Sequence, residues 1–107
     1  MGEKIFDPDL MGKVIEAIKK VYDPEMPVNI YDLGLIYDIS LEESGIVRIT
    51  MTLTNPNCPV ADSLPRDLKR QVSKIEDIKE VDVIITFDPP WDPDKMSDEA
   101  RLDMGMF

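Results

Sequence analysis

The order of elements read along the chain, helix–strand–strand–helix–strand, predicts a two-layer α+β domain in which two helices cover one face of a three-stranded sheet. Three observations lead there. Apolar residues recur at helical spacing in two segments, they alternate with polar residues in three others, and proline- or glycine-bearing clusters separate the segments. With 107 residues, 43% of them apolar, the chain has the material for one core, so we read 1–107 as a single domain with a tail over 88–107.

In the first helix Leu10, Met11, Val14, Ile15, Ile18, Val21 and Tyr22 form an apolar stripe, with Glu16, Lys19 and Lys20 opposite. Asp7 or Asp9 caps its start and Pro24 ends it. Pro24 and Pro27 then make 23–32 a stiff, extended loop. After Gly34, the residues Leu35, Tyr37, Ile39 and Leu41 are expected on the buried face of a strand, with Ile36, Asp38 and Ser40 on the other. Glu42-Glu43-Ser44-Gly45 is a hairpin turn whose glycine takes positive φ. An antiparallel second strand follows. It puts Val47, Ile49, Met51 and Leu53 inside and Arg48, Thr50, Thr52 and Thr54 on a polar, open face.

Asn55-Pro56-Asn57-Cys58-Pro59 is a turn-rich junction. Beyond it Ala61, Leu64, Leu68, Val72 and Ile75 mark the second helix, with Arg66, Lys69, Arg70 and Lys74 exposed. Pro65 constrains where this helix begins. Inside a regular helix started at Pro59 it would cost about 3 kcal/mol, so either the helix bends there or it starts later, with Asp62 or Ser63 as cap. Val81, Val83, Ile85 and Phe87 alternate with Asp82 and Thr86 as the third strand. Ile84 breaks the alternation and is expected to be partly covered. In the tail, Asp88-Pro89-Pro90-Trp91-Asp92-Pro93 is rigid and extended, Trp91 anchors it by packing, and Ser97 caps a short last helix through Met104.

Composition removes several function classes. The net charge is −10, from 22 acidic and 12 basic residues, which repels phosphate backbones and anionic lipid. No nucleic-acid or membrane partner is expected. No apolar run reaches bilayer length and the first residues lack a secretory pattern, so the chain reads as cytoplasmic. The absence of histidine removes Ser-His-Asp and Cys-His catalysis and imidazole ligation. A lone cysteine removes an intrachain disulfide and every CxxC motif. With no base to activate a nucleophile, an enzyme is not expected.

Cys58 is the first candidate for chemistry. Pro59 suits a first helical position, which would set the thiol at a helix N-terminus where the thiolate is favoured. A thiolate there is a nucleophile and a soft-metal ligand. A buried, inert cysteine accounts for the same residue equally well. In the 23–32 loop, Asp23, Glu25 and Asp32 could hold a hard cation or act as acid and base. The simpler account is an Asp-Pro turn starter at Asp23 and a solvated Glu25. Thr52 and Thr54 lead to Cys58 and could orient a bound group, though alternating threonines are also good strand formers.

Three blocks, taken together, resemble the SufT/PaaD-like iron–sulfur cluster assembly accessory family. They are Asp23-Pro24-Glu25 through Leu33-Gly34-Leu35-Ile36-Tyr37, Met51-Thr52-Leu53-Thr54-Asn55-Pro56-Asn57-Cys58-Pro59, and Asp88-Pro89-Pro90-Trp91-Asp92-Pro93 with Met96-Ser97 and Ala100-Arg101. The resemblance spans nearly the whole chain. It implies an accessory factor in cluster assembly or transfer, with Cys58 as ligand or reactive contact and Asp23, Glu25, Thr52 and Thr54 around it. The implied partners are assembly proteins and recipient apo-proteins, and the implied cargo is a transient iron–sulfur cluster. Such a cluster normally takes about four ligands. One chain offers a single thiol and a two-fold homodimer two, so a small thiol or a partner must supply the rest. The alternative is an adaptor that joins machinery and recipients without touching metal.

Overall fold

The computed structural model describes residues 7–23, 28–54 and 63–103. Its elements are α1 (Pro8–Ile18), β1 (Ile36–Glu42), β2 (Ile46–Met51), α2 (Ser63–Ser73), β3 (Glu80–Ile85), a 3-10 turn over Pro93–Lys95 and α3 (Asp98–Asp103). This is the expected order, with the short final helix in place.

Asp7, rather than Asp9, caps α1: its carboxylate accepts from Leu10 N at 3.1 Å, satisfying a donor with no partner inside the helix. The helix stops at Ile18, short of the expected end. The chain then doubles back, with a bridge between Tyr22 and Asn29 and a bond from Ile30 N to Val21 O at 2.9 Å. Val21 therefore remains in the core, while Tyr22, expected in the apolar stripe, is 57% exposed.

β1 and β2 form the expected antiparallel hairpin, closed by Gly45 at φ +82. β3 pairs with β2 in parallel, giving the order β1-β2-β3 with α2 as the crossover. Leu10, Val14, Ala17 and Ile18 of α1 and Leu64, Leu68 and Val72 of α2 share one core with Val47, Ile49 and Met51 of β2 and Val81 of β3. On the opposite face Arg48 bridges neighbouring strands, 3.0 Å from the buried Glu42 and 3.5 Å from Asp82.

Three expectations change at the sheet's edges. Ile36 pairs with Met51 but Asp38 with Thr50, so a bulge at Tyr37 interrupts β1 and shifts the alternation by one residue. Ile36 consequently packs against the core, and Tyr37 is the extra residue. Thr52, expected on an open face, is fully buried just past the end of β2. Ile84, expected to be partly covered, is 49% exposed. Within the described residues α2 runs over Ser63–Ser73 with Pro65 inside it, and the start of this helix, on which the expected bend or later cap depends, lies outside the described residues. Among the described residues no helix is long and apolar enough to cross a membrane.

Candidate functional site at the end of the sheet

The described parts of the signature blocks meet where β2 ends and β1 begins. Leu35 enters the sheet by accepting from Thr52 N at 2.8 Å, and Leu35 N donates to Ile30 O at 3.1 Å. Thr52 is thereby locked beside the start of β1, with Leu53 buried and Thr54 half-buried after it. The Thr52 hydroxyl is fully enclosed and makes no hydrogen bond of good geometry among the described residues. Its neighbour is the Tyr37 phenol. It lies close enough to favour the ionised phenol, but not within hydrogen-bonding geometry. Burial outweighs that pull and raises the Tyr37 pKa above 10.0, and the Asp92 carboxylate adds to the rise.

The tail closes over this end of the sheet. The Tyr37 hydroxyl donates to Pro89 O at 2.7 Å, and Trp91 Nε1 donates to Leu33 O at 2.6 Å. Ser97 N donates to Asp32 O at 2.8 Å, and Ser97 Oγ accepts from Ala100 N at 3.1 Å as the expected cap of α3. Trp91 packs against the core, so it acts as the expected anchor. Lys95 lies over the Tyr37 ring, 5.3 Å from its centroid. Gly34 makes this approach possible. It sits at φ +82, and an added Cβ would meet the carbonyl oxygen of Lys95. Gly34, Ile36, Tyr37, Pro89 and Lys95 line an open hollow of about 460 Å³ here.

The carboxylates are distributed unequally. Asp23 is buried at 2% exposure, immediately after the bridge between Tyr22 and Asn29. Asp32 is engaged locally: its carboxylate accepts from Asn29 Nδ2 at 2.8 Å, and its N–H donates to Asn29 Oδ1 at 2.9 Å. That pairing fixes the turn leading into β1. Glu25 and Cys58, with the expected helix cap at Cys58, lie outside the described residues. Among the described residues no group of three or more acidic, cysteine or histidine side chains is placed to hold a metal ion. Tyr37, Gly34 and Lys95 were not expected as site residues. The signal for the first two was their presence in a signature block, which regular strand alternation obscured.

A two-layer α+β domain with its described signature residues drawn to one end of the sheet defines the class. The chain belongs to the iron–sulfur cluster assembly protein family, whose pattern matches residues 12–84, and within it to the SufT/PaaD-like accessory group. It is 47% identical over 92 residues to a Porphyromonas gingivalis protein named Fe-S protein maturation auxiliary factor, covering 86% of this chain and 88% of that one. A Bacillus subtilis protein named as the same kind of factor is 38% identical over 97 residues, covering 91% and 95%. The crystal structure of a Bacillus anthracis domain of unknown function superposes with TM-score 0.87 at 33% identity, covering 94% of this chain and 95% of that one.

Proposed function

We propose that this chain is a cytoplasmic, non-enzymatic accessory factor that helps assemble or deliver iron–sulfur clusters to recipient proteins. Cys58 is the thiolate that meets the cluster, and Asp23, Glu25, Thr52 and Thr54 surround it. Family membership supports the general role. The observation that carries the site is Thr52: a fully enclosed hydroxyl beside the Tyr37 phenol that makes no well-formed hydrogen bond among the described residues, six positions before the lone cysteine. Leaving a buried polar group unsatisfied costs about 1–3 kcal/mol, and such a cost is tolerated where the group serves a ligand.

The cluster is cargo and not a resident cofactor. A single thiol per chain falls short of the roughly four ligands a stable cluster needs, so a second copy, a small thiol or a partner completes the set. Incomplete ligation from one chain also makes release easy, as delivery requires. The partners in this reading are assembly proteins on one side and apo-proteins on the other.

Anaerobic reconstitution with iron and sulfide, with and without a small thiol, tests the assignment on wild type, Cys58→Ala and Thr52→Val. Visible cluster absorption is expected in wild type, lost in Cys58→Ala and diminished in Thr52→Val, while thermal melts show Thr52→Val at least as stable as wild type. Equal absorption in wild type and Cys58→Ala would remove Cys58 from the site. No cluster under any condition would leave the adaptor reading.

A further inference from the structure

Among the described residues no strand pairs with the outer edge of β3. The backbone pattern shows which groups face outward. Glu80 N donates to Gly45 O at 3.3 Å and Thr86 N to Met51 O at 2.9 Å, so the even-numbered positions direct their backbone groups at β2. Strand period two then turns the N–H and C=O of Val81, Val83 and Ile85 toward the open edge. β3 carries no lysine, proline or bulge, and the only charges on it are those of Glu80 and Asp82. The side chains around it are apolar: Ile84 is 49% exposed, Ile85 37% and Phe87 44%. Carboxylates border them, with Glu80 and Asp88 exposed and Asp82 half-exposed beside Arg48.

Charge decides between occupants. A second copy pairing edge to edge would gather Glu80, Asp82 and Asp88 of both chains around one patch, in a protein already at −10. An extended segment with lysine or arginine beside aliphatic residues meets the same patch with opposite charge and matching apolar surface. We infer that the open edge of β3 is a docking strand for an extended, basic and aliphatic segment of a protein partner. The inference rests on the accessory reading, in which a recipient must be held while it receives its cargo. The register fits that role: the last pair, Ile85 with Met51, lies next to Thr52, so a docked strand leads to the end of the sheet that carries the signature residues.

The test is fluorescence anisotropy with a short labelled peptide of alternating lysine and valine, against a helix-forming lysine–alanine peptide of equal charge. The lysine–valine peptide is expected to bind the more tightly. Ile85→Pro removes an outward N–H without taking a bond from β2, and Ile84→Lys opposes the peptide's charge on an exposed position. Each is expected to weaken binding about tenfold, the effect of losing roughly 1.4 kcal/mol. Circular dichroism should show both variants folded, and Ile84→Lys alone decides if Ile85→Pro is not. Equal binding of the two peptides, binding indifferent to Ile84→Lys, or no binding would overturn the inference. So would a free protein that sediments as a dimer and is dissociated by Ile84→Lys, which would make the edge a self-interface. Cluster reconstitution uses no peptide, so failure here and failure of the accessory reading are separate results.

Discussion

Replacing Gly34 with alanine is expected to destabilise the protein by about 3–4 kcal/mol and to loosen the tail. The magnitude has three parts. A side chain at φ +82 adds about 1–2 kcal/mol of backbone strain. The new Cβ would also meet the Lys95 carbonyl oxygen and stand 2.7 Å from its carbonyl carbon and 2.8 Å from its Cβ. Two of those atoms are backbone and cannot swing aside, so the tail has to lift. Lifting it forfeits the hydrogen bond from Trp91 Nε1 to Leu33 O, worth about 1 kcal/mol net. It also exposes part of the buried Met96, and half of that side chain's transfer energy is again about 1 kcal/mol. The assay is urea unfolding followed by circular dichroism and by the emission of Trp91, the only tryptophan in the chain. A midpoint shift of less than about 0.5 kcal/mol, the range of an ordinary surface substitution, with Trp91 emission unchanged would refute the clasp.

The same substitution at Gly12 should act in the opposite direction. Nothing lies within 4 Å of a Cβ there, in mid-helix, so Gly12→Ala is expected to stabilise by about 0.5–1 kcal/mol in the same urea assay. Arg48→Met removes the partner of Glu42, whose side chain is 7% exposed. Because the Arg48 side chain is 42% exposed, the loss should be about 1–2 kcal/mol and not that of a fully buried pair, with partial recovery on adding Glu42→Gln. Tyr37→Phe tests the phenol's contact with the tail. Burial, opposed by Thr52 and helped by Asp92, raises the folded pKa above 10.0, so the phenol's contribution is intact below that pH and is lost as pH rises through the folded value. The variant should be less stable by about 1 kcal/mol at neutral pH, with the gap closing on alkaline titration. Parallel loss in both proteins above pH 10 would contradict this account.

Local patterning accounts for most of what could be read in advance. The helix stripe of Leu10, Val14 and Ile18, the inner row of Val47, Ile49 and Met51, and the caps at Asp7 and Ser97 all follow from residue type and spacing within one turn or one strand. Gly45 falls in the same class, since its hairpin needs φ > 0 whatever surrounds it. The signature blocks singled out Thr52 and Asp23, both of which the structure buries.

What spacing could not supply is what touches what across the fold. Strand alternation assigned Tyr37 to the buried row, but the bulge that re-aims it depends on pairing with β2. Thr52 looked solvent-facing by parity; it is enclosed beyond the end of β2, where strand alternation no longer applies. Ile84 looked covered because it is apolar, yet burial depends on whether another element passes over it, and among the described residues none removes its exposure. By itself the sequence determined the element order, the caps, the turns, the charge and the single thiol, since these arise from interactions over a few residues. Tertiary structure alone decided the parallel pairing of β3, its open edge, and the clasp of Pro89, Trp91 and Lys95 over Gly34 and Tyr37. These contacts join residues tens of positions apart, and their energies depend on shapes that no local window contains.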